Sequence, residues 1–350
     1  MDLDSPQSYD VVDPADALGD VEATARQWAE AASLGPGPLD LRRFDAVVIS
    51  GMGGSGITGD IIWALSLERY ALPVVVHKGY RLPGFTGPRT LVVALSHSGA
   101  TEETLSAFEE AGRRGAARLV VTSGEALAER AAADGAHVAL VPGGTRPPRH
   151  SLGVLLVPTL VALGLDDGLD EAVAVMDRLG REQGRDVPTA GNAAKELARR
   201  VALGVVPLAW GGRGIGSVAA YRLKCQLNEN AKIPAVHGEL PEADHNDVVG
   251  WESPSPLRGL AAMIILRDPV GEHPRVTRRF ELTTQLLSGR LAWTADVVGR
   301  GQSALARLAS LLFQADLVSV YTALAADRDP TPITSIDQLK SRLGSPAGVQ

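Results

Sequence analysis

The sequence predicts an α/β protein of two similar halves, each a parallel β-sheet flanked by helices in the doubly wound, flavodoxin-like manner. Short, continuously apolar runs alternate with helical patterns, which is typical of parallel strands buried on both faces. The pattern also restarts within the chain: VPLAWGGRGIGSVAAYRLK at 206–224 repeats the strand, glycine-rich turn and helix of AVVISGMGGSGITGDIIWAL at 46–65. Strands are predicted at 46–50, 74–77, 91–96, 118–122 and 137–141, and later from residue 206, at 262–266 and at 291–294.

We expect four segments along the chain. Residues 1–45 form an N-terminal extension, which we expect to be disordered to about residue 12 and then helical to about residue 34, starting at Asp13 and Pro14. Residues 46–165 form the first α/β domain and residues 166–205 a helical bridge. Residues 206–350 form the second α/β domain, with helices at about 274–287, 303–325 and 334–343.

Composition excludes several function classes. The chain has 350 residues, is 45% hydrophobic and 21% charged, carries a net charge of −7 and contains one cysteine, Cys225. An acidic chain lacks the basic footprint of a nucleic-acid-binding protein. A single cysteine allows neither an intrachain disulfide nor a thiolate metal cluster. The start MDLDSPQSYD lacks the apolar run of a signal peptide, and no stretch is as long and apolar as a membrane span. We expect a cytoplasmic protein that binds neither nucleic acid nor membrane.

The stretch LVVALSHSGATEETL at 91–105 predicts an anion site. A buried strand runs into a hydroxyl-rich turn, and a helix follows. The first amides of a helix lack intrahelical partners and lie at the positive end of its dipole. Ser96, Ser98 and Thr101 would converge there. Capping of the helix explains Ser98 or Thr101 but does not need a serine at 96, so we favour a bound phosphate.

A second loop, GMGGSG at 51–56, follows the first predicted strand. Its glycines let the backbone approach a ligand closely. The loop matches neither the dinucleotide-binding fingerprint nor the Walker A motif, and by itself it is better explained as a tight strand-to-helix turn. Two such loops at the carboxyl ends of parallel strands nevertheless lie where open α/β sheets bind ligands.

A third cluster combines a carboxylate and an imidazole. NENAKIP at 228–234 contains Glu229 near a predicted helix end, and EADHND at 242–247 contains His245. Each alone is typical of solvated surface. Together they supply the groups that aldose–ketose chemistry needs, a base that moves a proton between C1 and C2 and an imidazole that opens a sugar ring. A His/Asp metal site at 242–247 is a rival hypothesis with poor ligand spacing.

These motifs together resemble the sugar isomerase (SIS) domain superfamily, and more narrowly the bifunctional phosphoglucose/phosphomannose isomerases. The resemblance runs from about residue 46 to the tail. The motifs appear in the family's order: GMGGSGITGD, SHSGATEETL, PRHSLG, NENAKIPA, LPEADHND and IDQLK.

The resemblance implies a fold and a site. The fold would be two SIS subdomains, each with a five-stranded parallel sheet. Arg149 would stabilise an enediolate and Glu229 would be the base. His245, contributed by the partner subunit of a homodimer, and Lys340 would open the ring; chemistry alone would select neither Arg149 nor Lys340. No metal or organic cofactor is implied. The sugar phosphate would be held by Gly54, Ser55, Ser96, Ser98 and Thr101.

The implied activity is interconversion of glucose 6-phosphate or mannose 6-phosphate with fructose 6-phosphate through a cis-enediolate. One position departs from the family: a threonine that handles the C2 epimers aligns with Ile333, and Thr331 or Thr334 could replace it. The alternatives are an isomerase of another phosphosugar and an inactive sugar-phosphate sensor. Only about 45 residues precede the first strand, which is too few for a typical DNA-binding module with its linker, and this segment is acidic.

Overall fold

The computed structural model describes residues 1–67, 69–144, 146–252 and 258–343. Two parallel sheets flanked by helices confirm the predicted α/β class. The strands are β1 Ala46–Ser50, β2 Val74–His77, β3 Thr90–Ser96, β4 Ala117–Thr122, β5 His137–Leu140, β6 Val206–Gly212, β7 Val236–Leu240, β8 Ala261–Arg267 and β9 Thr294–Val298.

The helices alternate with the strands in both halves, as the sequence predicts. They are α1 Ala17–Glu22, α2 Thr24–Ala31, α3 Gly53–Ser66, α4 Glu102–Arg113, α5 Glu125–Ala133, α6 Leu152–Leu163, α7 Leu169–Gln183, α8 Ala193–Ala202, α9 Ile215–Gln226, α10 Pro274–Leu286, α11 Ala304–Ala325 and α12 Thr334–Leu343.

The two sheets share one topology. The first has the strand order β2-β1-β3-β4-β5 and the second has β7-β6-β8-β9, with every pair parallel. The second order repeats the first four strands of the first, so the internal repeat seen in the sequence is a repeat of structure. Among the described residues the second sheet has four strands, so the five-stranded second sheet that the resemblance implies is wrong for this part of the chain.

The N-terminal extension corrects two expectations. The first residues are ordered, because Leu3 and Tyr9 are almost fully buried and the Tyr9 hydroxyl donates to the Leu3 carbonyl oxygen at 2.7 Å. The helix expected from residue 13 is two helices, α1 and α2, that meet at Ala23. The Asp13 carboxylate accepts hydrogen bonds from backbone amides at the start of α1, so Asp13 supports the helix start, although Asp16 is its N-cap.

This extension packs beside the first domain. A Cβ atom at Gly153 of α6 would lie 2.5 Å from the Trp28 ring, so the absence of a side chain there lets α2 pack directly on α6. The Asp20 carboxylate accepts a hydrogen bond from Arg146 Nε at 2.6 Å. The extension therefore supports the chain segment that leads to Arg149.

The 22-residue helix α11 lies at the centre of the molecule. Contrary to the expectation from the sequence, it is long and apolar enough to span a membrane, but 94% of its most apolar stretch is buried within the protein, where the helix packs against α7, α8 and α9. This burial explains its composition as that of a core helix. Its Asp316 carboxylate pairs with the Arg222 guanidinium of α9 at 2.6 Å, and Arg222 also donates to the Arg149 carbonyl oxygen at 2.9 Å.

Candidate active site

The glycine-rich loop after β1 approaches the segment that carries Arg149. Helix α3 begins at Gly53, so residues 53–56 of this loop form its first turn. A Cβ atom at Gly54 would lie 3.2 Å from the Pro148 carbonyl oxygen and 3.4 Å from the Arg149 amide nitrogen. A side chain at 54 would thus force the 148–149 backbone away, which explains the glycine. Ser55 is buried in the same turn.

The predicted hydroxyl cluster forms at the end of β3. Ser96 is buried, and its Oγ donates to Thr101 Oγ1 at 3.0 Å. Ser98 Oγ accepts from the Ala100 amide at 3.2 Å. Thr101 is the N-cap residue of α4, but its side chain makes no capping hydrogen bond. Capping therefore does not account for the three hydroxyls.

The two loops lie side by side. Strands β1 and β3 are adjacent and parallel, with Ser50 paired to Ala94, so both loops leave the same edge of the sheet. The five residues that the resemblance assigns to the phosphate are thereby brought to one edge: Gly54 and Ser55 lie in the first turn of α3, and Ser96, Ser98 and Thr101 lie between the end of β3 and the start of α4. Backbone amides and hydroxyl groups at two helix starts can hold a phosphate without a lysine.

Glu229 lies on an irregular turn. Helix α9 passes into one π-helical turn, Leu227–Ala231, and Lys232 ends it in the left-handed conformation with φ of 57°. Such π-turns are frequent at functional sites. The Glu229 side chain is 29% exposed, and its Oε2 lies 3.8 Å from Arg149 Nη1. That distance leaves the carboxylate without a direct hydrogen bond from this arginine.

Arg149 is fixed from three sides. Its side chain is 4% exposed. Nε donates to Asn230 Oδ1 at 2.7 Å, and Nη2 donates to the carbonyl oxygens of Pro330 and Thr331 at 2.8 and 2.7 Å. Burial lowers the pKa of the Arg149 guanidinium, and the charge of Glu229 opposes that shift. With Nε and Nη2 engaged, Nη1 faces the Glu229 carboxylate as a fixed donor.

His245 and Lys340 are not bonded to this pair in the described part of the chain. His245 ends a short 3-10 turn after β7, Lys340 lies on α12, and both are exposed. Within the described ranges, no hydrogen bond or ion pair joins either to Arg149 or Glu229. The chain thus brings Arg149 and Glu229 together but does not bring His245 or Lys340 to them.

The rival metal hypothesis for 242–247 gains no support. The Asp244 carboxylate is engaged by Arg279 Nη1 at 3.0 Å and by Thr283 Oγ1 at 2.7 Å. In the part of the chain that the structure describes, no three His, Cys, Asp or Glu side chains are placed to hold a metal ion.

The structure separates the two candidate threonines. The Thr331 carbonyl oxygen accepts a hydrogen bond from Arg149, and Thr331 Oγ1 is buried and has no hydrogen-bond partner among the described residues. Thr334 is exposed at the start of α12, and Ile333 is half-buried. A buried hydroxyl without a partner costs free energy, so Thr331 is the better placed of the two to meet a ligand beside Arg149.

Sequence reasoning missed two parts of this site. The carbonyl oxygens of Pro330 and Thr331 hold Arg149 across more than 180 residues of chain, and no local pattern marks a backbone acceptor. Lys232, which contacts the carbonyl oxygens of Asn230 and Pro330, was not singled out. Its place directly after NENA was the only available signal.

Comparisons with known proteins identify relatives of this chain. Residues 190–343 match the family model described as the bacterial phospho-glucose isomerase C-terminal SIS domain. A bifunctional phosphoglucose/phosphomannose isomerase of Caldicellulosiruptor bescii is 39% identical over 85% of this chain and 89% of its own length. One from Aquifex aeolicus is 37% identical over 87% and 92%.

Solved structures show the same fold. A glucose-6-phosphate isomerase like protein from Thermus thermophilus superposes with a TM-score of 0.60 at 20% identity, covering 94% of this chain and 97% of that one. The two-sheet SIS architecture, the order of the motifs and the level of identity lead to one conclusion. The chain belongs to the bifunctional phosphoglucose/phosphomannose isomerase family.

Proposed function

We propose that the protein interconverts glucose 6-phosphate and mannose 6-phosphate with fructose 6-phosphate. The observation that carries the proposal is the place of Arg149. Its backbone contacts Gly54 of the first half, and its guanidinium faces Glu229 of the second half at 3.8 Å. A sugar phosphate anchored at the loops of the first half would thus extend toward a carboxylate beside a fixed cation.

The chemistry follows from these groups. The phosphate binds at Gly54, Ser55, Ser96, Ser98 and Thr101. Glu229 takes the proton from C2 of the open-chain aldose, and a cis-enediolate forms. The same carboxyl group returns the proton to C1 while the hydroxyl proton moves from O2 to O1, which gives fructose 6-phosphate. Negative charge develops on the enediolate oxygens, and Arg149 offsets it with a donor that needs no rearrangement.

Ring opening requires groups that this chain does not bring to the site. We propose a homodimer in which His245 of the partner subunit, together with Lys340, opens the hexose ring. His245 is exposed, and among the described residues no hydrogen bond or ion pair joins it to Glu229; both observations support this arrangement. We place the reaction in the cytoplasm, because the single cysteine suits a reducing compartment.

Mixed dimers test whether His245 acts across the interface. Glu229→Gln and His245→Ala are each expected to give inactive homodimers. Their mixed dimer contains one site with both wild-type residues, so co-refolding equal amounts should restore about a quarter of wild-type activity. If His245 acted within its own chain, every site in the mixture would lack one group. No recovery of activity would then be measured.

Ser98→Ala tests the phosphate anchor. Removal of the hydroxyl is expected to weaken binding of fructose 6-phosphate by roughly 1.5–3 kcal/mol, the range for one hydrogen bond to a charged group. Isothermal titration calorimetry measures the change, and Ser106→Ala is the matched control because Ser106 is a residue farther along α4 whose hydroxyl donates to the Tyr80 carbonyl oxygen. Equal affinity of Ser98→Ala and wild type would refute the loop assignment.

A coupled assay tests the function itself. The protein is given fructose 6-phosphate, and glucose 6-phosphate and mannose 6-phosphate are measured by separate enzymes. Both aldoses are expected. Binding of hexose 6-phosphates without turnover would indicate a sensor or inactive homologue, and turnover of other phosphosugars alone would indicate the alternative isomerase.

A further inference from the structure

Lys232 closes the turn that carries Glu229 and also reaches a distant segment. Its Nζ donates to three backbone carbonyl oxygens: Asn230 at 3.2 Å, Asp329 at 2.7 Å and Pro330 at 2.9 Å. An ammonium group has three N–H donors, and all three are matched here. One side chain thus ties the Glu229 turn to the segment 329–330.

Each of the two segments, the Glu229 turn and residues 328–330, donates a hydrogen bond to the other. Arg328 Nη1 donates to the Ala231 carbonyl oxygen at 2.8 Å, opposite in direction to the bonds from Lys232. The Pro330 carbonyl oxygen accepts from Lys232 Nζ and also from Arg149 Nη2, at 2.9 and 2.8 Å. Lys232 therefore binds the Pro330 carbonyl oxygen, which also orients Arg149, and it binds the turn that carries Glu229.

We propose that Lys232 is a positioning residue for the isomerisation, because its ammonium fixes the Arg149 guanidinium relative to the Glu229 carboxylate. The role of the pair in catalysis rests on the proposed function, whereas the effect of Lys232 on Arg149 does not. Displacement of a catalytic group by about 1 Å can lower a rate about a hundredfold. Loss of the Lys232 hydrogen bonds should therefore affect kcat more than KM.

The charges around Lys232 make its three hydrogen bonds sensitive to pH. Arg149 and Arg328 repel its ammonium, and Asp329 and Glu229 attract it; burial, followed by the repulsion from Arg149, lowers the pKa of Lys232 to about 8. The ammonium form is present below this pKa and is lost as the pH rises through it. A neutral amine has two N–H donors and a lone pair, which cannot satisfy three carbonyl oxygens. Activity should therefore fall above about pH 8 as Lys232 loses its proton.

Three variants test the proposal. Lys232→Met removes the charge and is expected to lower kcat about 10–100-fold at pH 7, with KM within about threefold. Lys232→Arg keeps a charge at every accessible pH, so it should retain most of the activity at pH 7 and move the alkaline decline upward by about one pH unit or more. Lys224→Met, which removes another lysine close in sequence, should stay within about twofold of wild type.

A second measurement does not depend on turnover. The Arg149 Nε–H group, which donates to Asn230 Oδ1, can be followed by nitrogen-15 NMR and assigned with Arg149→Lys. Its hydrogen exchange should be about tenfold faster in Lys232→Met than in wild type and unchanged in Lys224→Met. Unchanged exchange in Lys232→Met would overturn the proposal even if the wild type turned over no substrate. Wild-type kcat in Lys232→Met, or an unmoved alkaline decline in Lys232→Arg, would overturn it as well.

Discussion

Glu229→Gln should lower kcat about 10²–10⁴-fold, the usual contribution of a general base, while substrate affinity stays within about tenfold. Glutamine has nearly the same size as glutamate but cannot accept the C2 proton. The 3.8 Å separation from Arg149 means that the substitution breaks no direct hydrogen bond to this arginine. Steady-state kinetics measures kcat, and calorimetry with fructose 6-phosphate measures affinity.

The matched control for this variant is Glu239→Gln. Glu239 pairs with the exposed Arg213 at the end of β7, and surface pairs of this kind contribute little to stability. The control should keep wild-type kinetics within about twofold. A near-normal rate in Glu229→Gln would show that another group is the base.

Arg149→Met should lower kcat about 10²–10³-fold, which corresponds to about 2.7–4 kcal/mol for the loss of one preorganised donor to a developing oxyanion. Methionine fills a similar volume but offers no charge. Arg149→Lys restores the charge, but an ammonium lacks the planar fork that reaches Asn230, Pro330 and Thr331 together. It should recover only part of the rate.

Folding must be measured alongside these rates. Removal of the guanidinium leaves the carbonyl oxygens of Pro330 and Thr331 without that donor, so some loss of thermal stability is expected in Arg149→Met. Arg213→Met is the control, because Arg213 is 60% exposed. If Arg149→Met stays folded and keeps a kcat near that of Arg213→Met, Arg149 does not stabilise the transition state.

The first sheet and the two loops proposed to hold the phosphate were predictable from the sequence for a physical reason. Strands buried on both faces are continuous apolar runs, so β1 and β3 were predicted almost to the residue. The loops follow those runs directly, and adjacent parallel strands bring them to one edge. The residue assignments within the site stay predictions until variants are measured.

Other features had no local signal. Strand β7 was missed because the edge strand VHGEL mixes polar and apolar residues without a clear period. The strand predicted at 291–294 lies at Thr294–Val298, because Leu291 before it belongs to the packing under α10. The contacts that fix Arg149 come from a segment far along the chain, and only the tertiary fold brings the carbonyl oxygens of Pro330 and Thr331 to its side chain.

The central claim is that a protein base moves a proton between C1 and C2 of a hexose 6-phosphate. The most direct measurement is isomerisation of fructose 6-phosphate in D₂O, with the aldose products examined by NMR. A carboxylic acid exchanges its proton with solvent, so the account predicts deuterium at C2 of glucose 6-phosphate and mannose 6-phosphate made by the wild type. Aldoses formed at the normal rate with only protium at C2 would indicate direct hydride transfer and would contradict the account.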